Sequence, residues 1–442
     1  MKRLFKAYAY GEGPRAGCWW DETADIPASP AFDTDQRTDV AIIGAGFTGL
    51  VAALELARAG IRVSVLEAKQ VGWGASGRNG GFCCLGGSML EDAALDKRFG
   101  RQGRIDYRRT ELAAVQFVDA LIGELGLDVD RHSDGETVLA HRPKDVAPLK
   151  SHAAVLRENY GVEHDFIAAH ALADHGLAGP FHGALTIKAG FGLNPRKYLG
   201  GLVAAAQKSG VTLYESSPVT SLDREAEGWA LQIDGHILRA DQVVLATNGY
   251  SSENIPEWLA GRYLPSQSNV IVTRPLSQDE LDAAGWTSMQ MAYDTRNLLH
   301  YFRLMPDNRF LFGMRGGVFT GRHAEQRARA KARKDFEQMF PAWRNVDTPY
   351  GWSGMVCLAR NMLPFVGPVP DYDGLWAGMC YHGNGVAMGS YSGALLAQLV
   401  QGKKPDLPYP DAIRAPLKRF ELGRFRRAAM PFAYGAFMLA DR

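Results

Sequence analysis

An α/β fold built around a parallel sheet is what this sequence predicts, and three adjoining segments carry the prediction. Asp39-Val-Ala-Ile-Ile-Gly44 is a short apolar, β-branched run of the kind found in a buried parallel strand. Phe47 to Arg58 directly behind it has helical apolar spacing, with Gly60 placed to close the helix. Arg62 to Leu66 is a second apolar strand. Strand, helix and strand in that order make a βαβ unit, which brings two strands side by side in parallel.

The remaining elements follow in order. Residues 1–35, rich in Gly, Pro, Asp and aromatics, read as an irregular arm anchored by Trp19 and Trp20. Glu91 to Leu127 reads as a long helix dominated by Ala, Leu, Glu and Arg. A mixed region to about Pro180 contains a second helical stretch, Val146 to Tyr160. A helix is predicted over Leu193 to Ser209, then strands at Val211–Tyr214, Ala230–Ile233 and Gln242–Ala246. Asn269–Thr273 and Arg309–Phe312 read as strands, and Ala324–Phe340 as a polar helix. Apolar segments with glycine turns fill the last hundred or so residues.

Composition narrows the function. The chain has 442 residues, 46% apolar and 22% charged, with a formal net charge of +1, so no global field points to nucleic acid or an anionic membrane. That length allows two or more domains. The five cysteines (Cys18, Cys83, Cys84, Cys357 and Cys380) include no CxxC pair, which argues against a disulfide framework or a zinc centre; no metal is expected. The opening MKRLFKAYAYGEG has no apolar leader core, and no stretch reaches the roughly 18 apolar residues of a membrane helix. A cytoplasmic protein without stable membrane insertion is expected. The 49 glycines are clustered, which suggests backbone packed close to a ligand.

The first cluster is Gly44-Ala-Gly46-Phe47-Thr48-Gly49. It follows a predicted strand, opens a predicted helix and has Glu67-Ala68 about 20 positions on, the context a dinucleotide fingerprint requires. Gly44 makes the tight turn, Gly46 admits a pyrophosphate, and Gly49 lets helix and strand meet. The helix N-terminus offers N–H groups to phosphate, and Glu67 accepts ribose hydroxyls. The second cluster, Gly74-Ala75-Ser76-Gly77-Arg78-Asn79-Gly80-Gly81, follows the second strand. A nicotinamide dinucleotide has no need of such a loop there. FAD does, since its ribityl chain and ring continue beyond the first βαβ unit. Ser76 and Asn79 would add side-chain donors.

With these motifs the sequence resembles the D-amino-acid-oxidase-like superfamily of FAD oxidoreductases, and within it the gamma-glutamylputrescine oxidase group. The Gly-Ala-Ser-Gly-Arg-Asn-Gly-Gly loop and the Trp-Asp-Glu-Thr-Ala arm carry the finer likeness. Val243-Val-Leu-Ala246-Thr247-Asn248-Gly249 is similar to the family's strand and turn on the adenosine side, and Val219 sits where the family places a residue beside adenine. Tyr381-His382-Gly383-Asn384-Gly385-Val386 is similar to its C-terminal flavin loop. The resemblance implies non-covalent FAD and a discontinuous Rossmann-type domain from segments near 1–97, 183–262 and 345–442. A substrate domain on a mostly antiparallel sheet would come from 98–182 and 263–344.

Departures from the family pattern supply the catalytic and substrate candidates. Relatives commonly read Gly-His-Gly where this chain has Gly383-Asn384-Gly385, with His382 one place earlier. His382 and Asn384 are therefore catalytic candidates, the histidine standing against a packing role. Some relatives place a lysine near the flavin. Asn297 to Thr320 has none, and instead has Arg303, Arg309 and Arg315. Arg315 is expected to bind a substrate anion or to place positive charge near the ring, unless it turns outward to a surface carboxylate. Arg360 is a second anion-binding candidate. Tyr301, Trp352, Tyr381 and Trp258 could form an aromatic wall, with His300 of the same standing. Cys83, Cys84 and Cys380 are expected to pack as small hydrophobes. The apolar Met430 to Leu439 is expected to dock on the FAD domain rather than touch a membrane.

The expected reaction is oxidation of an amine at its CH–NH bond. The imine product hydrolyses, and oxygen is reduced to hydrogen peroxide. The substrate would be gamma-glutamylputrescine-like, or an acidic amine such as an N-methyl amino acid or an aminophosphonate. A dehydrogenase passing electrons to a quinone or carrier protein, a hydroxy-acid oxidase and a non-catalytic flavin-binding factor remain alternatives. Oligomeric state is not legible.

Overall fold

The computed structural model describes residues 1–441. In chain order, β1 (Gln36–Ile43), α1 (Phe47–Arg58) and β2 (Val63–Leu66) form the expected βαβ unit, followed by β3 (Phe82–Cys83) and the long α2 (Asp92–Leu125). Next come β4 (Glu136–Leu139), α3 (Val146–Tyr160), β5 (His164–Ala168), β6 (Gly183–Ile187), β7 (Phe191–Gly192) and α4 (Pro195–Lys208). Four strands follow: β8 (Thr212–Tyr214), β9 (Val219–Arg224), β10 (Trp229–Ile233) and β11 (His236–Leu245). The next stretch holds β12 (Tyr263–Val272), α5 (Gln278–Ala284), β13 (Met291–Asp294), β14 (His300–Leu304), β15 (Phe310–Arg315) and α6 (Arg322–Met339). The chain finishes with β16 (Tyr350–Ala359), β17 (Phe365–Pro368), β18 (Leu375–Met379), α7 (Ala387–Val400), α8 (Asp411–Arg414) and α9 (Met430–Ala440).

Two eight-stranded sheets organise these elements. The first runs β17-β18-β11-β1-β2-β8, with β10 and β9 continuing from β11. Its centre is parallel: β1 pairs with both β2 and β11, and β11 with β18. A parallel sheet needs cover on both faces. On one face α1, α2, α4 and α7 bury Leu50, Val118, Leu202 and Leu395. On the other lie Trp229, Trp258 and Leu259. Each such fully buried side chain contributes about 1.5–3 kcal/mol. The buried α1 is held close to its neighbours by missing side chains. A Cβ at Gly49 would stand 1.9 Å from the Gly44 carbonyl oxygen, and one at Gly393 of α7 would stand 2.5 Å from that of Thr48.

The second sheet runs β16-β12-β15-β14-β13-β4-β6-β5, and only β13 and β4 pair in parallel. Side chains alternate across it. Phe302 and Phe312 turn toward Phe336, Phe340 and Trp343, a cluster of stacked and edge-on rings that attaches α6. Tyr301 turns the other way, toward the first sheet's loops.

The expected domain limits shift in three places. β6 and β16, assigned with the nucleotide part, pair into the second sheet. The helix α2, assigned with the substrate part, buries Tyr107, Val115 and Leu121 in the first sheet's core. Local sequence specifies that a segment is a strand or a helix, whereas the sheet it joins is decided by partners far away. The C-terminal segment also docks elsewhere than expected. Tyr434 bonds Ser266 of β12 at 2.5 Å, and the Asp441 carboxylate accepts from the Asn297 and Leu298 N–H groups before β14. No helix among the described residues is long and apolar enough to cross a membrane.

Candidate active site

A cavity of about 580 Å³ runs between the two sheets. One end is built by the first sheet. Gly44, Gly46, Phe47 and Thr48 line it with Glu67, Ala68, Val219, Thr247 and Asn248. The Glu67 carboxylate is fixed by the N–H groups of Ala45 and Lys69, each at 3.0 Å, while burial pushes its pKa up. The N-cap of α1 is Gly46, with no side chain of its own to cap the helix, so the first-turn N–H groups after Phe47 remain available to a phosphate. The Phe47 N–H itself donates to Ser76 Oγ at 3.1 Å. A Cβ at Gly46 would stand 2.8 Å from that same oxygen, so the turn is kept open by the absence of a side chain.

The middle is lined by Gly74, Ala75, Ser76, Arg78, Asn79 and Gly80, the second glycine cluster. Arg78 is buried. Its Nε donates to the Trp73 carbonyl at 2.7 Å and its Nη1 to the Ser353 carbonyl at 3.1 Å, but Nη2 has no partner. A buried, unpartnered guanidinium nitrogen in a cavity wall is the counterpart of an acceptor-rich ligand. Together with the fingerprint turn and Glu67, it fits an extended flavin dinucleotide.

The other end belongs to the second sheet and the loop after β3. Cys84, Leu85, Gly86, Glu136, Tyr293, Tyr301 and Arg315 line it, with Gly383, Asn384 and Gly385 closing one side. The Tyr301 hydroxyl shares a 2.9 Å bond with Ser268 Oγ. Arg315, at the end of β15, makes one long bond, from Nη2 to the His382 carbonyl at 3.4 Å, and pairs with no carboxylate among the described residues. Burial lowers its pKa, partly offset by Tyr301, Cys84 and Tyr293. It also lines a second cavity, of about 540 Å³, with Arg296, Arg327 and Tyr434, and so forms part of the wall between the two.

Several expected site residues have other tasks. His382 lies behind the cavity wall. Its Nε2 accepts from the Ala359 N–H at 3.1 Å, which leaves Nδ1 to donate to the Gly87 carbonyl at 2.9 Å. That fixes a neutral ring, and burial pushes its pKa down to about 4; it is not placed to exchange protons with a ligand. Asn384 lines the cavity, but its amide donates to the Leu85 carbonyl at 2.5 Å and to Cys84 Sγ at 3.3 Å, tying down that loop. Asn79 likewise spends its amide on the Ser76 carbonyl and the Gly81 N–H.

Among the substrate candidates, Arg360 is an exposed partner of Glu421, outside the cavity. Trp352 is fully buried and donates to the Arg78 carbonyl at 2.8 Å, supporting that loop from behind. Tyr381 lines the fingerprint end, where its hydroxyl bonds Thr48 Oγ1 at 2.9 Å. Trp258 packs on Phe365 in the first sheet's core, and His300 bridges Asp294 and Asp335. Gly49, Gly81 and Gly249 stand behind the wall rather than in it. A Cβ on each would meet, in turn, the Gly44 carbonyl, the Leu193 carbonyl and the Met355 side chain.

Glu136 and Tyr293 are among the cavity residues not singled out from the sequence. Glu136 is a buried carboxyl within Glu-Thr-Val-Leu, and an acidic residue beside an apolar run is the signal that could have pointed to it. Tyr293 faces it from β13. Of the cysteines, Cys84 and Cys357 line the cavity, and burial keeps the Cys84 thiol protonated.

Comparison with known proteins gives concordant results. The family model described as "DAO: FAD dependent oxidoreductase" matches residues 39–399. Gamma-glutamylputrescine oxidoreductase of Escherichia coli is 30% identical over 418 residues, covering 93% of this chain and 95% of the relative. Probable oxidoreductase OrdL of Haemophilus influenzae is 29% identical over 413 residues, covering 92% and 93%. Among solved structures, glycine oxidase from Geobacillus kaustophilus superposes with a TM-score of 0.70 at 21% identity, covering 86% of this chain and 100% of that one.

Proposed function

Because the chain belongs to the DAO family of FAD-dependent oxidoreductases, we propose that it oxidises an amine that also carries an acidic group. The CH–NH bond becomes an imine, water hydrolyses the imine to a keto or aldehyde product and a free amine, and oxygen is the electron acceptor, yielding hydrogen peroxide. The observation that carries this reading is Arg315, a guanidinium in the cavity wall that no carboxylate among the described residues neutralises. Leaving such a group unpaired is costly, and a ligand carboxylate or phosphonate offsets the cost. The ligands named in two relatives, gamma-glutamylputrescine and glycine, each combine an amine with a carboxylate.

FAD, when bound, supplies a hydride acceptor at its ring. The protein's part is positioning. The α1 N-terminus and Glu67 take the pyrophosphate and ribose, and the loop carrying Ser76 and Arg78 lines the space for the remainder of the cofactor. Arg315 orients the substrate's anion, and Tyr301 supplies a flat wall held by Ser268. His382 and Asn384 hold the loops that set Arg315 and Cys84. The Cys84 thiol, kept protonated by burial, makes a poor nucleophile, in keeping with a non-covalent flavin.

The test is anaerobic mixing of the yellow protein with a panel of acidic amines, neutral amines and hydroxy acids, followed at the flavin band near about 450 nm. Bleaching by acidic amines, reversed with peroxide formation when oxygen returns, is the expected result. Bleaching by hydroxy acids alone would overturn the amine chemistry. Slow reoxidation by oxygen would assign a different acceptor.

A further inference from the structure

The cavity holds a second buried ionisable group with no ion-pair partner among the described residues. Glu136 opens β4, is only 3% exposed and lines the cavity beside Cys84, Leu85 and Tyr293. Its polar neighbours are the Leu85 N–H and the Cys84 thiol, and no cation of the described residues forms an ion pair with it. The groups that act on it come from five places in the fold: Cys83 from β3, Cys84 from the loop after it, Glu111 from α2, Tyr160 from α3 and Tyr293 from β13. Glu111 is itself held by Arg108 at 3.0 Å and by the Tyr160 hydroxyl at 2.7 Å, so it offers Glu136 only repulsion. Apart from Glu67 at the fingerprint end, Glu136 is the sole carboxylate among the described residues that line the cavity.

Arg315 lines the same cavity. Cys84 and Tyr293 each lie within electrostatic reach of both groups. This end of the cavity therefore holds one carboxyl group and one guanidinium. We propose that Glu136 receives the substrate's ammonium, pairs with it on entry and takes its proton. An N–H bond of the ammonium breaks with its electron pair left on nitrogen, and an O–H bond forms on Glu136. The product is a neutral amine beside a neutral carboxyl, the pair that a buried site favours over two charges. The neutral amine is the form that can release hydride from its adjacent carbon. The substrate class is thereby narrowed to zwitterions, with the anion on Arg315 and the ammonium on Glu136. This inference rests on the amine reading above.

Glycine betaine is a suitable probe, since its quaternary ammonium carries no proton and its carboxylate can still reach Arg315. Acetate serves as the anion-only control. Both are titrated into the oxidised holoenzyme by calorimetry between pH 7 and pH 9. With the Glu136 pKa pushed up to about 8 by burial, betaine affinity is expected to rise about tenfold over that interval as the carboxylate forms, and acetate affinity is not. Glu136→Gln should abolish the rise and leave acetate binding intact. A flat betaine profile in the wild type overturns the proposal without any variant, and so does a rise that survives Glu136→Gln. If amines bleach the flavin while the betaine result is negative, Glu136 alone is misassigned. If no amine bleaches it, the amine reading itself fails.

Discussion

The guanidinium of Arg315 lies against the bare Cα of Gly383: a Cβ there would stand 3.0 Å from Nη2, which donates to the neighbouring His382 carbonyl at 3.4 Å. Gly383 also has φ +113°, a backbone that side chains rarely adopt. Gly383→Ala must therefore strain the loop and push Arg315 off its position. The expected outcome is at least about a tenfold loss of kcat/KM on acidic amines, the order of one displaced charged hydrogen bond. Steady-state kinetics would show it mainly in KM, with flavin content unchanged. Unaltered KM would mean that Arg315 does not bind the substrate anion.

Glu136 should make stability depend on pH even with no substrate present. Its folded pKa, about 8, is raised by burial above the ordinary carboxylate value. Stability from the protonated form is therefore complete below roughly pH 4 and is lost as pH rises toward 8, by up to about 1.4 kcal/mol per pH unit. Glu136→Gln cannot ionise and escapes that loss. Thermal midpoints of the two holoproteins should diverge between pH 5 and pH 8, the variant being the more stable at the alkaline side. Parallel curves would show that Glu136 already has a counter-charge.

These two residues mark where the sequence was and was not informative. The βαβ unit was legible because its signals are local: α1 spans Phe47–Arg58 as its spacing predicts, and Glu67 stands where the second strand ends. Arg315 stood out because a charge interrupts Phe-Gly-Met-Arg-Gly-Gly. His382 stood out because it lies one place before the loop position where relatives commonly carry a histidine. Its role is set instead by Ala359 and Gly87, contacts made across the fold that no neighbouring residue announces. Arg360 was misleading likewise, since its partner Glu421 is far along the chain. Trp352 and Tyr301 both sit in strands of one sheet, and only the pleat determines that Tyr301 meets the cavity.

Tyr301 lies flat across Gly313 of the adjacent strand, where a Cβ would stand 2.1 Å from its ring. The contact leaves the phenol room to reach Ser268 at 2.9 Å. Gly313→Ala should tilt the ring into the cavity and break that bond. Substrate access should narrow, so that KM for bulky amines rises more than for small ones, and stability should fall by about 1–3 kcal/mol, as for other overpacked cores. Equal effects on large and small amines would indicate that Tyr301 supports the sheet rather than the substrate wall.

Glu67 gives the most direct handle on the cofactor. Both its oxygens accept backbone N–H groups, from Ala45 at the fingerprint turn and from Lys69. In Glu67→Gln one oxygen becomes an NH₂ that must face either an N–H or the ribose hydroxyls. A buried donor facing a donor costs about 1–3 kcal/mol, which corresponds to roughly five- to hundredfold weaker FAD. The first sheet is held by strand pairing and core packing that do not involve this carboxylate, so the apoprotein should fold normally. Fluorescence titration of deflavinated wild type and variant with FAD measures the difference. Equal affinity would remove Glu67 from the ribose site and shift the weight of dinucleotide binding to the α1 N-terminus and Arg78.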